Sequence, residues 1–493
     1  MIYNFNLGIG WASSGVEYAQ IYRARMFRNI GVDAKFVFTD MFPQENMEHM
    51  TKNIGFLDSE VIWLYTFFTD FKTAPVTYTL SDLEKTFTDL NYAKTREGKI
   101  CRYVFGGSNN FYTAYMVNDH DDFVHRVEMV SNGCLIRKDY FTYGRVYSEY
   151  YAPLDNAAHL YHRRFFNEDG SVAYEEIIDD DRVMYKFKDK ILCSKEEFVG
   201  YMVSQLHLTK DDVVLIDRST DIGQSILMNC KPARVGTIVH ADHFSEKDTN
   251  DDYILWNNFY EYEFNMHKHI DFYICSTQAQ SDLMVQQFEK YYGVTPVVYT
   301  IPVGSLPELK YPKENRKPFS LITASRLASE KHVDWICKAV IQARSEVPEV
   351  SLDIYGEGGE KSKLETIIRE NNASSYIRLM GQHDLSEVYQ NYEAYIAGST
   401  SEGFGLTLME AVGGGLPIIG FDVRYGNPTF IRNGENGYLL ELPEEDKDKI
   451  EALRKGIVDL FKQDLEKCHS VSYKVAKDFL TSNVQEKWRE AVC

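Results

Sequence analysis

Residues 394–421, AYIAGSTSEGFGLTLMEAVGGGLPIIGF, decide the fold because they combine a strand, a glycine loop, a helix and a second strand. The apolar run at the start has the length of a buried strand, and the run at the end, PIIGF, has the same character. Between them, glycines precede a stretch with helical spacing. This unit predicts parallel strands covered by helices, which is the building block of an α/β domain.

The same alternation of strands and helices recurs on both sides of this stretch. In the C-terminal part the predicted strands are FSLITAS, VSLDIYG, YIRLMG, AYIAGS and PIIGF. In the N-terminal part they are IYNFNL, AKFVFT and VIWLYT, followed after residue 195 by VVLID, RVGTIVH, DFYICS and PVVYTIP. The fold class is therefore predicted to be α/β with two Rossmann-like domains, whose ligands bind beyond the carboxyl ends of the strands.

A segment with a different pattern interrupts the N-terminal part. Short aromatic and β-branched runs such as CRYVFG, VHRVEMV and RVMYKF are separated by turn pairs such as Asn132-Gly133, which predicts an inserted antiparallel β-sheet. A Pro- and Lys-rich connector lies near residues 306–318. The predicted domains are a first Rossmann-like domain at 1–73 and 196–306, an inserted extended β-sheet domain at 74–195, a second Rossmann-like domain at 307–475, and a C-terminal helix at 476–493 that could cross back to the first domain.

Composition and charge limit the classes of function. The 493 residues include 73 acidic and 53 basic side chains, a net charge of −20 that disfavours a nucleic-acid partner but allows a small phosphate-bearing ligand. The eight cysteines form no C-x-x-C pair, so we predict small buried side chains in a reducing compartment rather than zinc ligands or disulfides. The first residues lack the basic segment of a signal peptide, and no apolar stretch is long enough to span a membrane, which predicts a cytoplasmic protein.

Two loops at predicted strand ends contain residue types that suit a phosphate ligand. In GIGWASSGVEY, Gly8, Gly10 and Gly15 let the backbone approach a ligand at the start of a helix, although such turns are also common without a ligand. In SRLASEKH, Arg326 and Lys331 could stabilise the charge that develops on a departing diphosphate, or they could simply face solvent.

A third loop places Glu402 before GFGLTLM and Glu410 after it. On one helix the two carboxylates would stand about 12 Å apart along the axis, since eight residues rise by about 1.5 Å each. A retaining hydrolase needs its carboxylates about 5 to 5.5 Å apart, so cleavage by paired acids is disfavoured. We predict instead that one acid contacts a sugar and the other a ribose.

These motifs together resemble the retaining GT-B enzymes of glycosyltransferase family 4. GIGWASSGVEYAQ, SLITASRLASEKH, YILWNN and TSEGFGLTLMEA are similar to the GtfA family of the accessory Sec system, and this resemblance extends over nearly the whole chain, the inserted sheet included. It implies a protein O-glycosyltransferase that moves N-acetylglucosamine from UDP-N-acetylglucosamine (UDP-GlcNAc) to serine or threonine of serine-rich repeat adhesins, as the first step of their O-glycosylation. It also implies a GtfB-like co-subunit docked through the inserted sheet, and at most a peripheral place at the cytoplasmic face of the membrane.

The resemblance also implies roles for individual residues. The implied donor site consists of Gly15, Val16, Glu17 and Tyr18 near the diphosphate, Arg326 and Lys331 on the phosphates, His383 and Asp384 beside the base, Glu410 on the ribose, and His240, Glu402, Gly403, Phe404 and Gly405 around the sugar. The predicted catalytic residues are His240, Glu402, Arg326 and Lys331. No general base is identified, and the leaving phosphate could deprotonate the acceptor hydroxyl. GQHDLS and AVGGG depart from the family pattern, which leaves the base contacts open.

No metal ion or other cofactor is expected. The HADH run from His240 fits no standard zinc spacing, and the Asp-x-Asp strings that begin at Asp119, Asp179 and Asp446 are predicted to lie in solvated turns or loops. YGEGG, which starts at Tyr355, lacks the full spacing of a dinucleotide fingerprint and is predicted to be a turn.

Several interpretations of the function stay open. The donor sugar could be glucose instead of N-acetylglucosamine, because that choice depends on the shape of the pocket around one substituent. The chain could also be a catalytically silent partner or chaperone subunit, or a nucleotide-sugar epimerase of the same architecture. The acceptor sequence, the oligomeric state and the need for a partner are not determined.

Overall fold

The computed structural model describes residues 1–9, 15–87, 91–106 and 109–493. Gly10 of the predicted glycine loop lies outside the described residues. The chain forms two compact units. The first unit comprises Met1–Ala24, Val32–Ile238 and Trp256–Asp271, and the second comprises Arg25–Gly31, Val239–Leu255 and Phe272–Cys493. The predicted domain boundaries at residues 73, 195, 306 and 475 stay predictions.

Strands form the sheets of both units. In chain order, the strands of the described residues are β1 (Ile2–Asn6), β2 (Ala34–Phe38), β3 (Val61–Trp63), β4 (Tyr92–Glu97), β5 (Ile100–Phe105), β6 (Phe111–Met116), β7 (Val124–Ser131), β8 (Cys134–Phe141), β9 (Arg145–Leu154), β10 (Ala157–Phe166), β11 (Val172–Asp179), β12 (Arg182–Lys186), β13 (Ile191–Leu192), β14 (Val213–Ile216), β15 (Arg234–Val239), β16 (Phe244–Ser245), β17 (Leu255–Trp256), β18 (Phe272–Cys275), β19 (Val298–Thr300), β20 (Ser320–Ala324), β21 (Ser351–Tyr355), β22 (Ile377–Gly381), β23 (Ala394–Ile396), β24 (Ile418–Phe421) and β25 (Gly437–Leu440).

Helices connect the parallel strands. In the described part of the chain they are α1 (Gly15–Ile30), α2 (Met47–Ile54), α3 (Leu64–Phe67), α4 (Leu80–Glu84), α5 (Lys195–Gln205), α6 (Gly223–Asn229), α7 (Glu261–Asn265), α8 (Gln278–Tyr292), α9 (Val333–Ala343), α10 (Lys361–Glu370), α11 (Leu406–Gly413), α12 (Gly426–Phe430), α13 (Asp446–Leu460), α14 (Leu465–Ala476) and α15 (Thr481–Val492). Short 3-10 helices cover Asp58–Glu60, His267–His269, Ser329–Lys331, Tyr389–Asn391 and Lys477–Phe479. None of the helices built from described residues is long and apolar enough to cross a membrane.

The two kinds of sheet predicted from the sequence are both present. In the first unit, parallel strands lie in the order β3-β2-β1-β14-β15, and strands β4 to β13 form a ten-stranded antiparallel sheet in sequence order. In the second unit, β18 and β19 pair in parallel, and a six-stranded parallel sheet has the order β22-β21-β20-β23-β24-β25. The prediction of α/β architecture with an inserted antiparallel sheet is confirmed.

The six-stranded sheet is buried on both faces, which explains its apolar strands. All five residues of β20 are buried. Leu321 belongs to one apolar cluster with α9 and α13, whereas its neighbour Ile322 belongs to another with α11 and α14. Successive side chains of a strand point to opposite faces, so helices on both sides cover this sheet.

The C-terminal segment differs in detail from its sequence pattern. The pattern over Val471–Val492 predicts a helix, but the structure has α14 and α15 with the 3-10 helix Lys477–Phe479 between them. In the second unit, Trp488 of α15 contacts Phe27 of α1 edge to face, with ring centroids 5.3 Å apart. The last helix therefore packs on the last turns of α1.

Candidate functional site

Glu402 and the glycines after it form the loop between β23 and α11. Gly405 precedes the helix with φ of +88°, and a Cβ atom there would lie 2.6 Å from Leu408 Cδ1 and 3.2 Å from Glu402 Cγ. Only glycine fits this conformation and this contact. Because α11 begins at Leu406, Glu402 does not share a helix with Glu410, so the 12 Å spacing of a common helix does not apply.

Lys331 and Glu402 form an ion pair at the carboxyl ends of the neighbouring parallel strands β20 and β23. Lys331 Nζ lies 2.6 Å from Glu402 Oε2, and the two side chains are only 19% and 20% exposed. Gly398 allows the two loops to approach, since a Cβ atom there would lie 3.1 Å from the carbonyl oxygen of Lys331. A cation and a carboxylate that are distant in sequence thus meet where α/β sheets bind ligands.

Arg326 projects from the loop that follows β20. Its side chain is 80% exposed, and its guanidinium lies 3.2 Å from Glu330 Oε1. The loop is supported by YGEGG, where Gly356 and Gly358 have φ of +127° and +159° and Cβ atoms would come within 1.9 and 2.4 Å of the carbonyl oxygens of Ser325 and Leu327. The prediction that YGEGG is a turn holds only for its end, because Tyr355 is the last residue of β21 and the chain bends and turns at Gly358 and Gly359. Gly356 and Gly358 let this segment pack closely against the Arg326 loop.

Glu410 lies on α11 in a largely desolvated position. Its Oε2 accepts a hydrogen bond from the Tyr389 hydroxyl at 3.0 Å. Burial raises the pKa of Glu410, the Tyr389 hydrogen bond opposes this shift, and the nearby Asp384 carboxylate adds to it. Glu410 and Asp384 are therefore close enough to interact electrostatically.

His383 and Asp384 lie in an exposed turn after β22. His383 Nε2 is 2.8 Å from the carbonyl oxygen of Met380, and its ring meets the Tyr355 ring edge to face. The Asp384 carboxylate accepts a hydrogen bond from the Ser386 backbone N–H at 2.9 Å, which lowers the pKa of Asp384. Both side chains are thus held by local contacts, and Asp384 is close enough to Glu410 to affect its pKa.

His240 follows β15, and its backbone adjoins the Glu402 loop within the second unit. A Cβ atom on Gly403 would lie 3.7 Å from the His240 carbonyl oxygen. The same loop is bound from the other side by residues 424–426, because the backbone N–H groups of Tyr425 and Gly426 donate to the Glu402 carbonyl at 2.6 and 2.7 Å. The structure therefore brings His240, Lys331 and the Glu402–Gly405 loop together.

Comparison with known proteins of similar sequence and structure identifies the family. A family model described as GtfA extended beta-sheet domain matches residues 93–189, and one described as Glycosyl transferases group 1 matches residues 308–478. A Streptococcus agalactiae protein named UDP-N-acetylglucosamine–peptide N-acetylglucosaminyltransferase GtfA subunit is 52% identical over 492 residues, covering 99% of this chain and 97% of the relative. The chain belongs to the GtfA family.

Solved structures agree with this membership. A crystal structure of a GtfA/B complex contains a chain that is 53% identical, with a TM-score of 0.96 and coverage of 100% of this chain and 99% of that one. The crystal structure of the pneumococcal O-GlcNAc transferase GtfA in complex with UDP and GlcNAc is 49% identical, with a TM-score of 0.86 and coverage of 100% and 98%. The GT-B fold expected for the family is thus confirmed.

The GtfA resemblance also implies a diphosphate contact at Gly15–Tyr18, which belongs to the first unit. In the described residues α1 covers Gly15–Ile30, and its Val16 is buried. Glu17 is buried too, and its carboxylate lies 3.5 Å from Arg218. Tyr18 is 49% exposed. Backbone and the Tyr18 side chain are therefore the parts of this segment that a ligand can reach, because the Glu17 carboxylate faces the protein.

Two expectations outside the site need correction. The string that begins at Asp446 is not in a loop, since Asp446 and Asp448 form the first turn of α13. The cysteines are not uniformly buried, because Cys134, Cys193 and Cys493 are exposed. In the part of the chain that the structure describes, no cluster of three or more His, Cys, Asp or Glu side chains is arranged to hold a metal ion.

Several residues of the site were missed by sequence reasoning in this GtfA family member. Arg424, Tyr425 and Gly426 bind the Glu402 loop through backbone groups, which no side-chain motif reveals. Tyr389 carries a usable signal, since it lies three residues after the GQHDLS segment noted in the sequence.

Proposed function

We propose that this chain is a retaining protein O-glycosyltransferase that transfers N-acetylglucosamine from UDP-GlcNAc to serine or threonine hydroxyls of a serine-rich repeat adhesin, as the first step of its glycosylation. Membership of the GtfA family supports this proposal, together with the names of the relatives. The observation that carries it is the Lys331–Glu402 ion pair beside His240 at the carboxyl ends of parallel strands.

Different side chains of the second unit are proposed to bind different parts of the donor. In this proposal Arg326 and Lys331 hold the diphosphate, Glu410 accepts a hydrogen bond from the ribose, and His383 and Asp384 flank the base. Arg326 is well suited to a phosphate because its guanidinium is exposed and paired only at the surface with Glu330.

Transfer proceeds on one face of the sugar with retention. The bond between the anomeric carbon and the diphosphate oxygen breaks as the acceptor oxygen bonds to the same carbon, and the acceptor proton passes to the leaving phosphate. Lys331 and Arg326 stabilise the negative charge that grows on the diphosphate. Glu402, Gly403, Phe404, Gly405 and His240 orient the sugar. These cations carry out the charge stabilisation, so the reaction is proposed to need no metal ion.

A GtfB-like co-subunit is proposed as a partner, because a relative forms a GtfA/B complex. We propose that it docks on the inserted β-sheet, the part of the chain that matches the GtfA extended beta-sheet domain. The enzyme is proposed to work in the cytoplasm, with at most a peripheral association with the membrane.

The test uses the purified chain with and without its co-subunit, a serine-rich peptide, and either UDP-GlcNAc or UDP-glucose. We expect mass spectrometry to find one N-acetylhexosamine per modified hydroxyl, with activity unchanged by EDTA. Arg326→Ala and Lys331→Ala should each lower kcat by about 10² to 10³-fold, as loss of a group that stabilises transition-state charge does. Arg369→Ala, which removes an exposed arginine of α10, is the matched control and should keep the wild-type rate.

Each alternative function has its own result in this experiment. If the peptide is modified only with glucose, UDP-glucose replaces UDP-GlcNAc as the proposed donor. Isomerised donor without modified peptide would indicate an epimerase. No transfer from either donor, even with the co-subunit present, would favour a silent partner subunit and contradict the proposal.

A further inference from the structure

A buried hydrogen bond joins the His240 loop to the segment that binds Glu402. His243 is fully buried, and its Nε2 lies 2.7 Å from Gln287 Oε1. Its Nδ1 lies 3.3 Å from the hydroxyl of Tyr425, a side chain that is also buried. The two rings stack at an interplanar angle of 26°.

The protonation states of the two rings fit this bond. Burial lowers the pKa of His243 to about 4, so the imidazole is neutral at physiological pH and carries one N–H. Gln287 Oε1 accepts that N–H, which leaves Nδ1 as an acceptor that faces the Tyr425 hydroxyl. Burial, the charge of the Asp242 carboxylate and a hydrogen bond to that carboxylate raise the pKa of Tyr425, so its phenol stays protonated and can donate to this loop.

The bond closes a ring of contacts around the candidate sugar site. Tyr425 N–H donates to the Glu402 carbonyl at 2.6 Å, and Glu402 N–H donates to the Arg424 carbonyl at 3.1 Å. Gly403 adjoins the His240 carbonyl, and His243 lies three residues beyond His240. Displacing Tyr425 would therefore displace Glu402 relative to His240.

We infer that Tyr425 and His243 are positioning residues, which hold the Glu402 loop against His240 and so fix the groups that face the donor sugar. This inference rests on the proposed function. Neither side chain needs to touch the substrate, because the phenol acts through the backbone of Glu402. Arg326, His383 and Asp384 lie on other loops and are not held by this bond, whereas Lys331 is linked to it through its ion pair with Glu402.

Tyr425→Phe tests the inference because it removes one oxygen and keeps the ring and the backbone N–H. We expect kcat to fall at least about 10-fold, since small displacements in an active site cost up to about 100-fold in rate. KM for the donor and Kd for UDP should stay within about twofold of wild type. Tyr438→Phe is the matched control. It removes the hydroxyl of Tyr438 on β25, which accepts a hydrogen bond from the Gln463 side chain at 2.5 Å, and it should leave kcat unchanged.

A second measurement does not depend on activity. Amide hydrogen exchange should speed up in Tyr425→Phe at residues 400–406 and 240–245, and it should not do so in Tyr438→Phe. Any of three results in Tyr425→Phe would overturn the inference. These are a wild-type kcat, unchanged amide exchange in both loops, and a loss of UDP affinity equal to the loss of kcat/KM. If the wild-type chain transfers no sugar, the proposed function fails, and the exchange data alone decide whether Tyr425 holds the loops.

Discussion

Glu402 is the residue on which two sets of contacts converge. Its carboxylate pairs with Lys331, whereas its backbone binds residues 424–426. A single acid therefore connects a cation proposed to hold phosphate with the loop proposed to hold the sugar. The sequence predicted separate contacts for Lys331 and Glu402 but not their pairing, since the two lie 71 residues apart and only the strand order makes them neighbours.

Breaking this ion pair should damage catalysis more than stability. Glu402→Gln keeps the size of the side chain and removes its charge, so Lys331 loses the partner that orients it. We expect kcat to fall by about 10² to 10³-fold, while the free energy of unfolding falls by about 1 to 2 kcal/mol, because the change leaves the mostly buried Lys331 ammonium without its counter-charge. Steady-state kinetics and urea denaturation measure the two effects. An equal or larger loss of stability, or an unchanged kcat, would contradict this role.

Glu410 gives the site a pH dependence whose direction follows from its surroundings. Its pKa is raised by burial, so protonation begins above the usual range of a glutamate as the pH falls. A protonated Glu410 accepts a ribose hydroxyl less well, and UDP affinity should therefore weaken on the acid side. Tyr389→Phe removes the hydrogen bond that lowers this pKa, so the midpoint of the loss should move to higher pH.

Calorimetric titration of UDP across pH measures that midpoint in both proteins. Tyr438→Phe serves again as the control and should keep the wild-type curve. A midpoint that stays fixed or moves to lower pH in Tyr389→Phe would show that Glu410 does not govern UDP binding.

Strands were predictable from the sequence where both faces are buried, and less so where solvent covers them. The run that forms β20 is wholly apolar or small and was recognised over its full length. In contrast, β4 is exposed at all six residues of YAKTRE, so it has no apolar alternation to detect. The prediction that VIWLYT forms one strand was wrong in its second half, because the strand ends at Trp63 and α3 begins at Leu64.

The turn into α11 should depend on Gly405 for both space and conformation. Gly405→Ala places a methyl group 2.6 Å from Leu408 Cδ1 at φ of +88°, whereas Gly434→Ala meets no atom within 4 Å at φ of +80°. The control therefore carries the conformational cost alone, about 1 to 2 kcal/mol. We expect steric overlap in Gly405→Ala to lower the free energy of unfolding by a further 1 to 3 kcal/mol or so. The variant should also lose most of the transferase activity.

Urea unfolding of the two alanine variants measures this difference directly. Equal losses of stability would mean that the loop relaxes around the added methyl group. In that case close packing at Gly405 would not be what sets the conformation of the Glu402 loop.

Over the whole chain, periodicity was enough to predict the architecture but not the details that make a site. Two patterns of parallel strands and one of antiparallel strands are encoded locally, so each could be recognised from a short window of sequence. The Tyr425–His243 bond joins residues 182 positions apart. Such contacts depend on how the loops fold over the sheet, and no local pattern specifies them.

The ten-stranded antiparallel sheet leaves apolar side chains in solvent, which gives the proposed co-subunit a surface to bind. Ile177 on β11 pairs across the strands with Met184 on β12, and the two are 37% and 38% exposed. An apolar pair that is open to water in the isolated chain gains stability when a partner covers it.

Ile177→Glu combined with Met184→Glu should weaken binding of a GtfB-like co-subunit at least about 10-fold, because two charges would be buried in place of apolar contact. Both side chains are exposed, so the melting temperature of the isolated chain should change little. Met228→Glu is the matched control, since Met228 is 65% exposed on α6, outside this sheet. Calorimetry with the purified co-subunit gives Kd for all three proteins. If the double variant binds as tightly as Met228→Glu, the co-subunit docks somewhere other than this pair.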